Sequence, residues 1–229
     1  MLKKVQGECP YKSPTDMGVN MAGYCIVDDN ATREASKQEI LRRYYAAQID
    51  VRKGLIGKET ISKIEILMQR MNITINDRAV VKPALEKEAA TGGPACALQL
   101  PDGRIVTGKT GKLLGASAAA LLNALKVLSG IDDSVELISS TVIEPIQKLK
   151  VKHMGSSNPR LHTDEVLISL AVSAATDKAA KAAMDSISGL KDAQFHSSVV
   201  LSPVDEMTLK KLGINVTCEP KRQTERSFD

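Results

Sequence analysis

Tryptophan is absent from the sequence, and all aromatic residues together make up only 3% of its 229 residues. Single-stranded nucleic acids are commonly held by aromatic side chains that stack on the bases, so this shortage argues against a nucleic-acid partner. The formal net charge is only +4, which is weak support for a polyanionic partner. Because 43% of the residues are apolar, we expect a sizeable core built mainly from aliphatic side chains.

Long apolar runs are also missing, since none approaches the ~20 residues that a membrane-spanning helix needs. The N-terminus lacks the pattern of a secretory signal peptide. The cysteines form no Cys-x-x-Cys pair, and no histidine stands at ligand spacing from them, so reduced thiols are expected and no metal ligands are assigned. These features predict a cytoplasmic protein without a membrane partner, and they leave the cofactor unknown. The cysteines are Cys9, Cys25, Cys96 and Cys218.

Glycine and proline divide the chain into four parts. Residues 1–28 are interrupted too often for a regular element, and we expect an irregular lead-in segment that completes a missing N-terminal half. Residues 29–92 have apolar side chains at helical spacing and predict a helical subdomain. Residues 93–220 alternate strand and helix patterns and predict an α/β (α+β) subdomain, layered around a mixed sheet. Residues 221–229 read as a polar tail.

Within these parts, the periodicity and the capping residues predict individual elements. The expected strands are ACALQL and RIVT, joined as a hairpin by the Pro-Asp-Gly turn, then Val135–Ile138, AQFHSSVVL and INVTC. The expected helices cover residues 32–52, 59–71, 77–92, 115–128, 140–153, 163–175, 177–187 and 202–213, with the first two forming a helical hairpin. Ser140, Asp177 and Ser202 are the expected N-caps of the fifth, seventh and eighth of these helices.

The segment GRIVTGKT, from Gly103 to Thr110, matches the phosphate-loop pattern G-x-x-x-x-G-K-[ST] in letters only. A phosphate loop needs an irregular middle that follows a strand, whereas Arg-Ile-Val-Thr favours a strand itself and the next helix starts several residues too late. We therefore reject a nucleotide-hydrolase loop. Two interpretations stay open. One is a looser anion site of Lys109, Thr110, Lys112 and Ser117 at a helix N-terminus, and the other is a purely structural connection.

The loop before the helix at residue 163 is the most polar stretch beside an apolar helix. In the structural interpretation, Thr163 caps the helix, and Asp164 and Glu165 suit its first turn. In the functional one, Arg160 binds a carboxylate or phosphate beside Asn158. His162 then transfers a proton, with Asp164 or Glu165 as its orienting carboxylate.

Other candidates have a structural and a functional interpretation as well. His196, on an apolar strand, is either a satisfied core residue or a ligand-binding residue whose strand face meets the His162 loop. Asp16 and Asn20 serve either turn chemistry or catalysis. Cys25 and Cys96 are best explained as small buried apolar residues, because a nucleophilic role requires a neighbouring base. His153 suits the dipole at a helix C-terminus.

Long stretches of the chain resemble the C-terminal half of the uncharacterised family called domain of unknown function 1846. The resemblance implies a helical subdomain followed by an α/β subdomain with a topology similar to the cytidine-deaminase-like fold. It also implies proteins about twice as long, whose N-terminal half we do not find here, so a truncated chain is expected. The stretches are YKSPTDMGVNMAGYCIVDD, PDGRIVTGKTGKLLGASAAALLNALK, GSSNPRLHTDEVLISLAVSAAT and HSSVVLSPVDEMTLKKLGINVTCEP.

Zinc deaminase chemistry does not follow from that resemblance. The signature His-x-Glu is absent, and Pro94-Ala95-Cys96 has no second cysteine at the required spacing. Two hypotheses therefore remain. The first is a cytoplasmic enzyme half that binds a nucleotide-like or phosphorylated small molecule, with an unknown reaction. The second is a non-catalytic scaffold that packs on the missing N-terminal domain and forms a homo-oligomer through the small-residue helices ASAAALLNAL and AATDKAAKAAM.

Overall fold

The structure is a computed structural model that describes residues 29–222. The expectations for residues 1–28, with Asp16, Asn20 and Cys25, and for residues 223–229 lie outside the described residues. The described part contains eight α-helices and four strands in one mixed sheet, which confirms the layered α/β fold class. None of its helices is both long and apolar enough to cross a membrane.

The elements follow one another largely as the periodicity predicts. The helices are α1 (Asp29–Arg52), α2 (Lys58–Arg70), α3 (Val81–Thr91), α4 (Ala116–Ser129), α5 (Ser140–Lys148), α6 (Thr163–Ser173), α7 (Lys178–Asp185) and α8 (Pro203–Lys211). The strands are β1 (Ala95–Gln99), β2 (Ile105–Lys109), β3 (Gln194–Ser197) and β4 (Asn215–Cys218). Two 3₁₀ turns cover Ile75–Asp77 and Ile187–Leu190, and a π-helical turn, Leu149–His153, extends α5.

The strand order is β2-β1-β3-β4, with β1 antiparallel to both neighbours and β3 parallel to β4. Successive side chains of a strand point to opposite faces of the sheet, so Cys96 and Leu98 face one side and Ala97 faces the other. Residues Phe195 and His196 of β3 are divided between the two faces in the same way. This alternation decides which polar residues can meet.

Each face of the sheet is covered by helices. Helices α4, α6, α7 and α8 bury one face in the main core, which contains Leu98, Leu121, Leu125, Leu170 and Phe195. Helices α1 and α3 cover the other face, where Val80 and Ala84 pack on Ala97. The expected α1–α2 hairpin is present and encloses a small cluster of Leu41, Met68 and Ile73.

Close packing of α4 on β2 explains its run of small residues. A Cβ added at Gly108 would lie 2.2 Å from the backbone nitrogen of Ala120. The alanines that prompted a subunit contact, such as Ala118 in α4 and Ala180 and Ala183 in α7, are fully buried in this chain's own core. These alanines already have an intramolecular partner and are not available to a second subunit, and the homo-oligomer stays a prediction.

Three local expectations need correction. No strand forms at residues 135–138, although Leu137 and Ile138 are buried, because this segment pairs with no other strand. The N-cap of α5 is Ser139, and the N-cap of α6 is His162. Two other caps are confirmed: Asp177 accepts from Ala180 N at 2.7 Å, and Ser202 accepts from Asp205 N at 3.1 Å.

Candidate functional site

A pocket with a volume of about 280 Å³ lies where β1 begins and β3 ends, between the loop before α4 and the loop before α6. One wall is apolar, with Pro94, Val199, Val200 and Leu201. The other part of the lining, the polar wall, contains Thr110, Ser117, Asn158, Arg160, His162 and Ser202. The Gly/Lys-rich connection and the Arg160–His162 connection thus meet in one hollow.

Backbone hydrogen bonds hold the two connections together. Leu161 N donates to Leu113 O at 3.0 Å, and Gly115 N donates to Leu161 O at 3.2 Å. The guanidinium Nε of Arg160 donates to Gly111 O at 2.6 Å. The polar wall is therefore a fixed surface in which residues about fifty positions apart keep their relative places.

Residues at the N-termini of three helices line this pocket, namely Ser117 of α4, His162 before α6 and Ser202 before α8. A helix N-terminus carries a partial positive charge and unpaired N–H groups. The N-termini of α6 and α8 already have acceptors: Thr163 N donates to Asp205 Oδ1 at 2.9 Å, and Ser202 caps α8. Helix α4 differs, because its N-cap is Gly115, with no side-chain cap and no acidic residue in its first turn.

His162 and Asp205 form the titratable pair of the pocket. His162 Nδ1 lies 3.0 Å from Asp205 Oδ2, and the Ser202 hydroxyl donates to the same oxygen at 2.8 Å. A carboxylate only accepts hydrogen bonds, so Nδ1 carries the proton in this pair. Nε2 is then the ring nitrogen that has no protein partner within residues 29–222.

The pair has complementary pKa shifts. The hydrogen bond to Asp205 raises the pKa of His162, although burial acts in the opposite direction. Burial favours a higher pKa for Asp205, but hydrogen bonds from His162, the Thr163 N–H and Ser202 hold it below its ordinary value. The carboxylate is thus ionised at neutral pH, and the imidazole is held closer to its charged form.

Asp164 and Glu165 do not orient His162, contrary to the expectation from sequence. Glu165 accepts from the backbone N–H of His162 at 2.7 Å and from Lys150 Nζ at 2.8 Å. Asp164 accepts from Glu165 N at 2.8 Å. Both carboxylates are used at the N-terminus of α6 and neither lines the pocket, so the orienting role falls to Asp205.

Of the residues expected to bind an anion, Thr110, Ser117, Asn158 and Arg160 line the pocket, whereas Lys109 and Lys112 do not. Both lysines are exposed. Lys109 follows Gly108, which faces α4, so strand alternation turns the lysine side chain away from that helix.

His196 lies on the other face of the sheet, so the expectation that two histidines share a site is wrong. It is fully buried, with Nδ1 2.9 Å from Thr217 Oγ1 and its ring centroid 4.9 Å from that of Tyr45. Nε2 is 3.3 Å from Glu219 Oε1 but outside hydrogen-bond geometry. Burial lowers the pKa of His196, although Glu219 opposes that effect. This is a core histidine.

Cys96 forms part of the pocket, with its Sγ 3.8 Å from Ser117 Oγ. Burial raises the pKa of the thiol to about 12, so it stays protonated at neutral pH and is a poor nucleophile. This agrees with its interpretation as a small buried residue. Residues 29–222 contain no group of three or more His, Cys, Asp or Glu side chains that could hold a metal ion.

Sequence reasoning missed Asp205, Ser197 and Ser202 as pocket residues. Ser202 and Asp205 were recognised only as the start of a helix, which they also form. A signal was present, because Ser202-Pro203-Val204-Asp205 places a second polar helix N-terminus after a buried strand. Nothing in the sequence, however, indicates which of the polar loops it faces.

Two family models match the chain. Domain of unknown function DUF1846, N-terminal, matches residues 1–72, and Domain of unknown function DUF1846, C-terminal, matches residues 76–228. The expectation that nothing in the chain resembles the N-terminal part of the family is therefore wrong.

Several relatives are similar over nearly the whole chain. A UPF0371 protein of Corynebacterium glutamicum (strain R) is 53% identical over 223 residues, which cover 97% of this chain and 45% of the relative. A UPF0371 protein of Streptococcus thermophilus (strain CNRZ 1066) is 50% identical over 228 residues, covering 100% of this chain and 46% of the relative. One from Streptococcus pneumoniae (strain Hungary19A-6) is 49% identical with the same coverage. The chain spans about half the length of these relatives.

Proposed function

The chain belongs to the DUF1846 family of unknown function, and from its pocket we propose that it binds a small phosphorylated molecule with which His162 exchanges a proton. The observation that carries this proposal is the convergence of Ser117, Arg160 and His162 on one concave surface. Phosphate binding at a helix N-terminus and proton transfer by an imidazole in the same pocket are chemically compatible.

The phosphate group belongs at the N-terminus of α4. Of the three helix ends at the pocket, this is the one without a capping side chain or a carboxylate in its first turn. Its first N–H groups are therefore left for a ligand, and the hydroxyl of Ser117 and the guanidinium of Arg160 lie beside them in the pocket wall. A negative charge there is stabilised by the helix dipole by about 0.3–1 kcal/mol, before any direct contact with Arg160.

His162 is the group suited to proton transfer. Its Nδ1 is occupied by Asp205, which fixes the tautomer and leaves Nε2 to act on a ligand. An imidazole can both accept and donate a proton. The raised pKa of His162 favours the donating form, as in protonation of a leaving oxygen.

The size of the pocket limits the ligand. A volume of about 280 Å³ lies just below the ~300–1,000 Å³ typical of ligand pockets. The apolar lining residues Val199, Val200 and Leu201 suit the uncharged body of the ligand. A phosphorylated sugar or a mononucleotide fits these limits better than a dinucleotide.

Calorimetric titration with inorganic phosphate, phosphorylated sugars and mononucleotides tests the proposal. We expect Arg160→Met and Ser117→Ala each to weaken binding of the best ligand by about 10- to 100-fold, which corresponds to loss of one charge-assisted hydrogen bond. Lys109→Met is the matched control, because it removes a neighbouring cation outside the pocket, and its affinity should stay within about twofold of the parent.

Two results would contradict the proposal. One is the absence of binding for every compound by a well-folded sample. The other is an equal loss with Lys109→Met and Arg160→Met, which would move the site to the exposed loop. Proton exchange has a separate readout, since ligand binding should change the pKa of His162 as measured by NMR, and Asp205→Asn should reduce that change.

The cytidine-deaminase-like topology and the cytoplasmic location remain predictions. A comparison of the β2-β1-β3-β4 sheet with solved members of that fold tests the first, and fractionation of cells tests the second. The scaffold hypothesis is an alternative to the ligand proposal that needs an outward-facing contact surface.

A further inference from the structure

In the π-helical turn that follows α5, a lysine is buried and large apolar side chains are exposed. Lys150 is only 6% exposed, whereas Leu149 and Val151 on either side of it are 51% and 43% exposed, and Met154 is 71% exposed. A buried lysine beside exposed large apolar residues is the reverse of the usual distribution. π-Helical turns are rare and often mark functional positions.

The buried lysine explains why the apolar side chains face outward. Lys150 Nζ donates to Arg160 O at 2.7 Å and to Glu165 Oε2 at 2.8 Å. These bonds hold Lys150 toward the loop of the pocket, so its sequence neighbours Leu149 and Val151 must point elsewhere. The exposed apolar group is thus fixed by the fold and is not a frayed helix end.

The exposed side of α5 and the π-turn carries an acidic residue near the middle of the helix and basic residues toward its C-terminal end. Glu144 is exposed near the middle of the helix, and Lys148 and Lys152 are exposed toward its C-terminal end. Glu144 and Lys148 are four residues apart, a spacing at which Lys82 and Glu86, or Glu206 and Lys210, form ion pairs. Within residues 29–222, Glu144 and Lys148 form no such pair, so both charges are available to a partner.

We infer that this face, consisting of α5 and the π-turn, binds the same face of a second copy of the chain. In a two-fold symmetric contact, residue i touches residue j of the other copy and j touches i. Antiparallel packing of the two helices about a two-fold axis at Ile146 brings Glu144 of each copy beside Lys148 of the other. Leu149 and Val151 then cover the start of the other α5, where Val135 is also exposed.

Charge complementarity selects a second copy over other partners. An acidic partner would match Lys148 and Lys152 but be repelled by Glu144, and a basic partner would meet the opposite conflict. An antiparallel copy satisfies both signs with the same residues. The face is about 20 Å long at 1.5 Å per residue, which is small for an interface, so a weak dimer is expected.

Helix α5 and the π-turn also contact the loops that form the pocket, so the proposed dimer contact lies close to the pocket. Gln147 Nε2 donates to Lys112 O at 3.3 Å, and Lys150 donates to Arg160 O, so α5 contacts both connections that form the polar wall. The inference itself does not depend on ligand binding. It supplies the outward-facing surface that the small-residue helices do not provide.

Analytical ultracentrifugation over a range of protein concentrations tests the inference through a charge swap. We expect a concentration-dependent dimer for the parent chain. Glu144→Lys and Lys148→Glu should each raise the dissociation constant by about tenfold or more, because each creates two like-charge pairs per dimer. The double variant Glu144→Lys/Lys148→Glu should restore most of the parent affinity, since the signs again match across the two-fold axis.

Glu86→Lys and Lys82→Glu on α3 are matched controls with the same change of net charge at another exposed pair, and they should leave the dissociation constant unchanged. Leu149→Ser should weaken the dimer in the same way as a single charge reversal, with an unaltered melting temperature. A parent chain that stays monomeric up to about 1 mM, the weak end of specific association, would overturn the inference. So would a double variant that is as weak as its two single variants.

Discussion

The two faces of β3 carry polar clusters that differ in their access to solvent. On one face, Arg78 is 1% exposed and donates five hydrogen bonds, to Gln38, Gln194, Thr217 and the carbonyls of Phe195 and Asn215. On the other face, Ser197 opens into the pocket that contains His162 and Asp205.

The difference lies in which hydrogen-bonding groups remain unused. In the closed cluster, the guanidinium of Arg78 joins α1, β3 and β4 and has no donor left for a ligand, and burial lowers its pKa to about 10. In the open cluster, one ring nitrogen of His162 and the N-terminus of α4 have no partner within the described residues. A closed polar cluster stabilises the fold, whereas an open one can perform chemistry.

Breaking the closed cluster should give the largest effect. We expect Arg78→Met to lower the free energy of unfolding by at least about 3 kcal/mol, because it leaves several buried acceptors without donors. Urea unfolding measures this change. Arg104→Met is the matched control: its exposed guanidinium pairs with Asp102 at 2.6 Å, and its removal should lower the stability far less because solvent screens an exposed pair. Equal effects of the two variants would show that Arg78 does not hold the two layers together.

Disturbing the packing behind the open cluster should have an intermediate effect. Gly108→Ala introduces a Cβ 2.2 Å from Ala120 N, which forces α4 away from β2 at a cost of about 1–3 kcal/mol. At Gly111 an added Cβ meets nothing within 4 Å, so Gly111→Ala should change stability by less than about 0.5 kcal/mol. Thermal unfolding of both variants gives the comparison. A stable Gly108→Ala protein would mean that α4 approaches β2 less closely than described.

The smallest effect, and the sharpest contrast, is in pH dependence. His162 has a raised pKa in the folded protein, so its stabilising contribution is present below about pH 6.5 and is lost as the pH rises through the folded-state value. His196 has a lowered pKa, so the folded state is destabilised as the pH falls below about 6.5.

Variants separate the two histidines. The destabilisation caused by His162→Gln should diminish as the pH rises from about 6 to about 8.5, and that caused by His196→Gln should diminish as the pH falls from about 7 to about 5. Unfolding curves across this range measure both trends. Trends of the same sign would contradict the assignment of one histidine to an open site and the other to the core.

Elements that depend on neighbouring residues were predictable. The Pro-Asp-Gly turn produced the β1–β2 hairpin, and Asp177 and Ser202 capped their helices as expected, because turn and cap chemistry acts over two to four residues. The strand predicted at residues 135–138 did not form, because a strand depends on a pairing partner that is distant in sequence. Its apolar residues needed burial, and the loop supplied it without a strand partner.

The candidate site was predictable in part. Arg160 and His162 were identified because a polar loop before an apolar helix is unusual, and Ser117 because a glycine-rich connection precedes its helix. Asp205 lies 43 residues after His162, and Asp164 and Glu165 were the nearer candidates for its role. Asp164 and Glu165 instead interact with the N-terminus of α6, where the helix dipole favours carboxylates. Their closeness to His162 in the sequence did not indicate this alternative role.

The amino-acid sequence by itself determined the helices, the hairpin, the caps and the aliphatic composition of the core, because each depends on local geometry or on the number of apolar residues. The tertiary structure alone decided that Asp205 reaches His162, that His196 faces away from the pocket and that Lys150 is drawn inward while Leu149 points out. Those outcomes depend on which face of a strand or helix meets which distant loop. Strand pairing and helix packing set that register over distances that local patterns do not encode.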